Sequence, residues 1–243
     1  MARAPLNISE LKFVGRIPKR NITPRDNTEF LEVWSVCALS DDVLLLACGG
    51  LGLRAYSLNS SQLSPHEIVA IPDVTQVAFD ARTDTLLLLV RNLTTDMWQL
   101  VSLRRNASQW LEVTRLTTDM HFEGYFPNIA VCNSHVLVVK HLQGNRLYVY
   151  SVSAEHSMSY TGVVLLGQLN WSGLACTRIG DDTYVALSLF FSSLVTLHRL
   201  EWPSLTFDPI ANNTLEKPSW LLFLGDMLLV THLNSTTNSD AIV

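Results

Sequence analysis

Trp34-Ser-Val-Cys-Ala-Leu39, Ser40-Asp-Asp42, Val43-Leu-Leu-Leu-Ala-Cys48 and Gly49-Gly-Leu-Gly52 follow one another without a break, and their order decides the fold. A short strand-forming segment leads into a tight polar turn, then a second and more apolar strand, then a glycine-rich loop. Asp and Gly suit such turns because they tolerate positive φ or bond their own backbone. The same order returns four more times. Thr75-Gln-Val-Ala-Phe79 turns at Arg82-Thr-Asp84 into Thr85-Leu-Leu-Leu-Leu-Val90. Ile129-Ala-Val-Cys132 turns at Asn133-Ser134 into His135-Val-Leu-Val-Val139. Gly173-Leu-Ala-Cys176 turns at Gly180-Asp-Asp182 into Thr183-Tyr-Val-Ala-Leu187. Trp220-Leu-Leu-Phe-Leu224 turns at Gly225-Asp226 into Met227-Leu-Leu-Val-Thr231.

The turns set the period. Asp41 to Asp84 is 43 residues, Asp84 to Ser134 is 50, Ser134 to Asp181 is 47 and Asp181 to Asp226 is 45. A blade of four antiparallel strands needs about 40–50 residues. Third strands follow at Leu53 to Leu58, Trp98 to Leu103, Arg146 to Ser151 and Leu194 to Leu200. Outer strands are expected at Glu67 to Ile71, Trp110 to Leu116, Gly162 to Leu166 and Leu205 to Ile210. The second strand is nearly all apolar and the third alternates. That pattern suits a second strand packed on both faces and a less buried third. Gly, Pro, Asn, Ser and β-branched residues interrupt every candidate helix. The expected fold is all-β and β-propeller-like, with four four-stranded blades and part of a fifth.

In period and strand pattern, residues 30–243 resemble the WD40-like β-propeller superfamily. The family's Gly-His and Trp-Asp signatures are absent, and Tyr56-Ser57 and Tyr150-Ser151 stand where Trp-Asp would fall. The Asp-His-Ser-Trp hydrogen-bond network of that family is therefore not carried over.

Residues 1–29 read as a basic N-terminal extension before a repeat domain over 30–243. Arg3, Lys12, Arg16, Lys19, Arg20 and Arg25 face a single acid, Glu10, within the first 25 residues, although the whole chain has net charge −5. Such an arm reads as a solvated extension, and an acidic partner is the alternative. The fifth repeat has only begun its third strand when the sequence stops, which leaves an incomplete ring. Three explanations stand: a fragment of a longer protein, which is preferred; closure by a strand around Lys12 to Ile17; or completion by a partner.

The hydrophobic fraction of 48% supports a large core and argues against disorder. The longest apolar stretch, Tyr184 to Leu197, is interrupted by Ser188, Ser192, Ser193 and Thr196 and is too short for a transmembrane segment. A cytoplasmic or nuclear location is expected. Asn7, Asn21, Asn59, Asn92, Asn106, Asn170, Asn212 and Asn234 each begin an N-x-S/T triplet, more than composition alone predicts. These triplets keep a secreted glycoprotein open as the alternative.

No catalytic, metal or cofactor constellation is expected. Cys37, Cys132 and Cys176 recur at the end of first strands and read as small core residues. Cys48, on the strand beside Cys37, makes a cross-strand disulfide between those two an option. No CxxC spacing exists, and the seven histidines show no metal-binding spacing. Asp41-Asp42 and Asp181-Asp182 read as turn formers rather than as paired acids.

Loops entering first strands and loops joining second to third strands gather on one face of a propeller, and loops on a rigid scaffold carry function. The candidate partner-binding residues on that face are Trp34, Arg91, Phe122, Tyr125, Phe126, His141, Trp171, Phe190 and Trp220. The entry segment Thr117 to Pro127 is the most aromatic. Aromatic residues and Arg are frequent interface anchors. The expected function is a non-catalytic scaffold or adaptor that binds a protein or peptide, with no nucleic acid. The alternative is part of a propeller-type enzyme, or of a secreted glycoprotein with a propeller domain.

Overall fold

A computed structural model describes residues 33–57, 59, 62–63, 68–69, 71–107, 109–121, 127–139, 146–167, 171–224, 227–234 and 239–242. The fold is a β-propeller of four four-stranded sheets and a three-stranded fifth, and the described residues contain no helix. The first blade is β1 (Ser35–Ser40), β2 (Val43–Ala47), β3 (Leu53–Ser57) and β4 (Gln62–Leu63). The second is β5 (Val74–Asp80), β6 (Thr85–Asn92), β7 (Met97–Asn106) and β8 (Gln109–His121). The third is β9 (Asn128–Cys132), β10 (His135–Val139), β11 (Arg146–Val152) and β12 (Met158–Leu165). The fourth is β13 (Trp171–Ile179), β14 (Asp182–Leu189), β15 (Leu194–Glu201) and β16 (Thr206–Thr214). The fifth has β17 (Pro218–Leu224), β18 (Met227–Asn234) and β19 (Ser239–Ile242). Each sheet is a meander in which sequence neighbours pair.

The turns behave as their residues require. Asn133 and Ser134 both have positive φ, at 53° and 58°, which a two-residue hairpin turn needs at both central positions. Asp84 at 51° and Gly180 at 66° serve the same purpose. The outer strands depart from expectation. β8 runs on to His121, so the first residues of the expected entry loop Thr117 to Pro127 are strand. The reason is register: Thr117 pairs with Gln99 and His121 with Met97, which continues the long β7 ladder. The outer strand of the first blade lies at Gln62–Leu63, ahead of the expected Glu67 to Ile71. An isolated bridge from Leu53 to Val69 is what remains of that expectation. The basic extension 1–29 and the strand expected around Lys12 to Ile17 lie outside the described residues.

By contacts the chain divides into two compact units. Among the described residues, one contains those up to Ile129 and Tyr150–Tyr160, and the other contains those within Ala130–Val149 and from Thr161 on. In the unit of the first two blades, Leu86, Leu88 and Val90 of β6 join Leu45, Ala47, Leu53, Val74 and Val77 in one core, while Leu87 and Leu89 point to the opposite face and are equally buried. In the other unit, Val185, Leu187 and Leu189 of β14 pack with Leu137, Val139, Leu147 and Leu174. Ala186 turns the other way, toward Val195, Leu197, Leu221 and Val230. Alternation along a strand thus serves two cores at once. A fully buried Leu or Val contributes about 1.5–3 kcal/mol.

Hydroxyl groups stitch neighbouring blades at the strand ends. Ser188, fully buried, donates to the Ser219 carbonyl at 2.8 Å, and Ser172 donates to the Pro218 carbonyl at 3.0 Å. Between those two serines lies Gly173. A Cβ there would stand 2.0 Å from the Ser219 carbonyl oxygen. Elsewhere in this unit the Trp202 indole donates to Thr183 Oγ1 at 2.9 Å and stacks on His135 with ring centres 3.8 Å apart. In the other unit a chain of hydrogen bonds runs from Asp80 through Thr83 and Thr85 to His156 Nδ1, each link 2.8 Å.

Gly173→Ala is expected to destabilise the protein by about 1–3 kcal/mol, because the methyl group must displace backbone. Urea unfolding reads this as a lower midpoint, and an unchanged midpoint would show that β17 yields freely. A second expectation concerns His198, which stacks on Phe207 at 4.1 Å and meets Thr196 Oγ1 at 3.0 Å. Burial lowers its pKa from 6.5 to about 4. The unfolded chain therefore takes up this proton first, and stability is lost as pH falls from 6.5 towards 4. His198→Phe should flatten the dependence of Tm on pH across that window; an unaltered slope would refute the assignment.

Candidate functional site

In the unit of the first two blades, polar groups collect where loops leave the strand ends. Gly49 follows β2 with φ of 56° and donates to the Val74 carbonyl at 3.0 Å, tying the first blade to the second. The half-buried Trp34 lies over it, so close that a Cβ on Gly49 would meet the indole nitrogen at 2.9 Å. Beside Val74, Asp73 holds φ of 56° and its carbonyl accepts from the Arg91 backbone N–H at 3.1 Å. Arg91 sits on β6 opposite Trp98, and its guanidinium reaches the Asp96 carboxylate at 3.8 Å. Asp96 is itself at positive φ in the β6–β7 hairpin. Arg54 Nε donates to the Leu51 carbonyl at 3.2 Å in the Gly49–Gly52 loop.

Backbone contacts thus run from Gly49 under the Trp34 indole through Val74 and Asp73 to Arg91, with the Arg91–Asp96 pair at the end of β6 and Arg54 at the glycine loop. The groups at these strand ends are of ligand-binding type: a guanidinium donates to anionic or hydroxyl oxygens, a carboxylate accepts, and an indole offers an apolar face. Cys48 adjoins the loop, but burial raises its pKa despite the nearby Arg54 charge, so it stays a protonated thiol at neutral pH. Among the described residues no three His, Cys, Asp or Glu side chains gather closely enough to hold a metal ion.

The second unit carries a separate aromatic feature. Phe190 and Phe191 form an edge-to-face pair at 5.3 Å in the β14–β15 loop, with Phe191 66% exposed. The β16–β17 connection docks there, Leu215 N–H donating to the Ser193 carbonyl at 2.9 Å and Lys217 N–H to Ser193 Oγ at 3.4 Å. Trp220 stands exposed on β17, with Leu222 beside it on the same face of the strand.

Of the sequence candidates, Trp34 and Arg91 are joined through Gly49, Val74 and Asp73, and Phe190 and Trp220 belong to the other unit. Trp171 opens β13, where its backbone pairs with Leu189. Phe122, Tyr125, Phe126 and His141 lie outside the described residues. Asp96 and Arg54 are not among the sequence candidates; the available signal is the turn sequence Asn92-Leu-Thr-Thr-Asp96 and the position of Arg54 just after a glycine loop.

The cysteines differ from expectation. Cys37 lies opposite Leu45, and Cys48 falls beyond the end of β2, so the two are not a cross-strand pair. All four cysteines are free thiols. Nor are Cys132 and Cys176 equivalent. Cys132 ends β9 immediately before its turn, whereas Cys176 lies four residues before Gly180, and both belong to the core between β9–β12 and β13–β16.

No family model matches the chain, and no curated protein matches it in sequence. Solved structures do match in fold. An auxiliary nutrient binding protein from Bacteroides ovatus aligns with TM-score 0.60 and 10% identity over 84% of this chain and 57% of its own. The PQQ-bound aldose sugar dehydrogenase from Streptomyces coelicolor aligns with TM-score 0.56 and 12% identity over 85% and 75%. A putative 6-phosphogluconolactonase from Bacteroides fragilis aligns with TM-score 0.55 and 11% identity over 76% and 55%. This chain spans less than three fifths of two of these proteins. The class they share with it is the β-propeller.

These matches correct the expected function. The non-catalytic adaptor reading gives way to its alternative, because the structures similar in fold include a sugar dehydrogenase, a putative 6-phosphogluconolactonase and a nutrient binding protein. The aromatic signal that supported the adaptor has a structural use in part: Trp34 covers Gly49. No helix among the described residues is long and apolar enough to cross a membrane.

The Arg91–Asp96 pair spans 3.8 Å with Asp96 57% exposed, so it adds little to stability. Asp96→Asn should change unfolding free energy by less than about 0.5 kcal/mol. A larger loss in denaturant unfolding would show that the pair holds the hairpin instead of standing ready for a ligand.

Proposed function

We propose that this chain is part of a propeller-type enzyme, and that the end of its first two blades binds a small polar substrate rich in hydroxyl or anionic oxygens. The observation that carries the reading is that Trp34, Asp73, Arg91, Asp96 and Arg54 all lie at the same strand ends of two adjoining blades, where backbone contacts link Gly49 under Trp34 to Asp73 and Arg91 and Arg91 pairs with Asp96. Sugar-directed enzymes and a nutrient-binding protein among the structures similar in fold support the same substrate class. Arg91 would donate to a phosphate or carboxylate, Asp96 and Asp73 would accept from hydroxyls, and Trp34 would pack against a ring. WD40-like membership is the finer fold reading; the period of 43–50 residues supports it.

Titration calorimetry of the chain against an aldose, a sugar lactone and a phosphorylated sugar acid tests the proposal. Binding of the phosphorylated acid should weaken at least tenfold in Arg91→Ala, since a lost charge-assisted pair costs about 1.5–3 kcal/mol. Hydrolysis of the lactone, followed by proton release, reports turnover directly. No binding by any of the three, or equal binding by the Arg91 variant, overturns this assignment.

A further inference from the structure

Two cysteines from different blades meet inside the second unit. Cys132 closes β9 and is 7% exposed in the core that also holds Leu137, Leu174 and Val185; Cys176 of β13 packs against the same core. Each thiol is the other's neighbour in that core. One residue beyond Cys132 and two beyond Cys176, the Arg178 guanidinium donates to Asn133 Oδ1 at 3.1 Å. That bond holds the ends of the two inner strands together just past the thiols. The other cysteines are placed differently. In the first unit Cys37 bonds the Ala38 carbonyl at 3.5 Å and packs among Val77, Phe79 and Leu86, and Cys48 bonds the Leu46 carbonyl. No thiol faces either of them in those contacts.

We propose that Cys132 and Cys176 are an oxidisable pair, which closes as a disulfide between the inner strands of the third and fourth blades when the protein meets a small disulfide oxidant. The exchange balances in two steps. One cysteine thiolate attacks a sulfur of oxidised glutathione, forms a mixed disulfide and expels one glutathione thiolate. The second cysteine thiolate then attacks the protein sulfur of that mixed disulfide, forms the Cys132–Cys176 bond and expels the second glutathione. Two protein thiols are oxidised, one glutathione disulfide is reduced, and the two thiol protons leave with the two glutathiones. Burial and the neighbouring thiol push the Cys176 pKa well up, so closure should quicken as pH rises. The bond would shorten the free loop of the unfolded chain and so favour the folded one.

The full chain is incubated natively with oxidised glutathione, then alkylated and digested without reduction. The expected product is a linked pair of peptides carrying Cys132 and Cys176, with the intact mass lower by two hydrogens. Tm should rise by several degrees and return on reduction. Cys37→Ser should give the same linkage, whereas Cys176→Ser should give none and leave Cys132 either free or glutathionylated. Both thiols remaining alkylatable in the folded protein overturns the proposal. So does linkage of either one to Cys37 or Cys48. The linkage is mapped on the wild-type chain, so the test stands even where a serine variant fails to fold.

Discussion

Burial of the second strand on both faces is the constraint from which the rest of this structure follows. In β6 and β14 successive residues point into two different cores, and both cores exclude water. The middle of such a strand is apolar on both faces and its polar residues, such as Thr85 and Ser188, sit near the ends with hydrogen-bond partners, which is why Leu86-Leu-Leu-Leu-Val90 reads as an unbroken apolar run. It also cannot exist in an isolated sheet. Each blade therefore depends on a neighbour, and polar groups are displaced to the strand ends.

At those ends the chain solves a second problem. Backbone carbonyls of a following blade arrive beside a closely packed inner strand and need donors. Serine and threonine supply them at little cost in volume: Ser188 and Ser172 reach the carbonyls of Ser219 and Pro218. Gly173 is the counterpart, since only the absence of a Cβ lets the Ser219 carbonyl come so near. Gly49 does the same for Trp34. The frequent Ser, Thr and Gly at these positions thus have a structural use that composition alone would assign to loops.

The candidate site is a product of the same geometry. Positive φ at Gly49, Asp73 and Asp96 shapes the connections there, and backbone bonds tie Gly49 to Val74 and Arg91 to Asp73. The candidate site offers donors and acceptors at these strand ends. The glycine loop and the hairpin keep those groups outside the apolar core, where they retain contact with solvent.

Read alone, the sequence determined the all-β class, the number of blades and the place of nearly every hairpin. It could do so because alternation, apolar runs and turn residues such as Asn133-Ser134 and Asp84 are local consequences of backbone geometry. It also singled out Trp34 and Arg91 as residues of one loop end. Tertiary structure alone decided which side chains meet. Cys37, Cys132 and Cys176 looked equivalent by their place on first strands, but Cys132 ends its strand while Cys176 lies three strand residues before its turn, and the two belong to one core. Asp96 became part of the site only through the fold of its hairpin against Arg91. Facing is fixed by register, and register across separate blades depends on packing that no local pattern records.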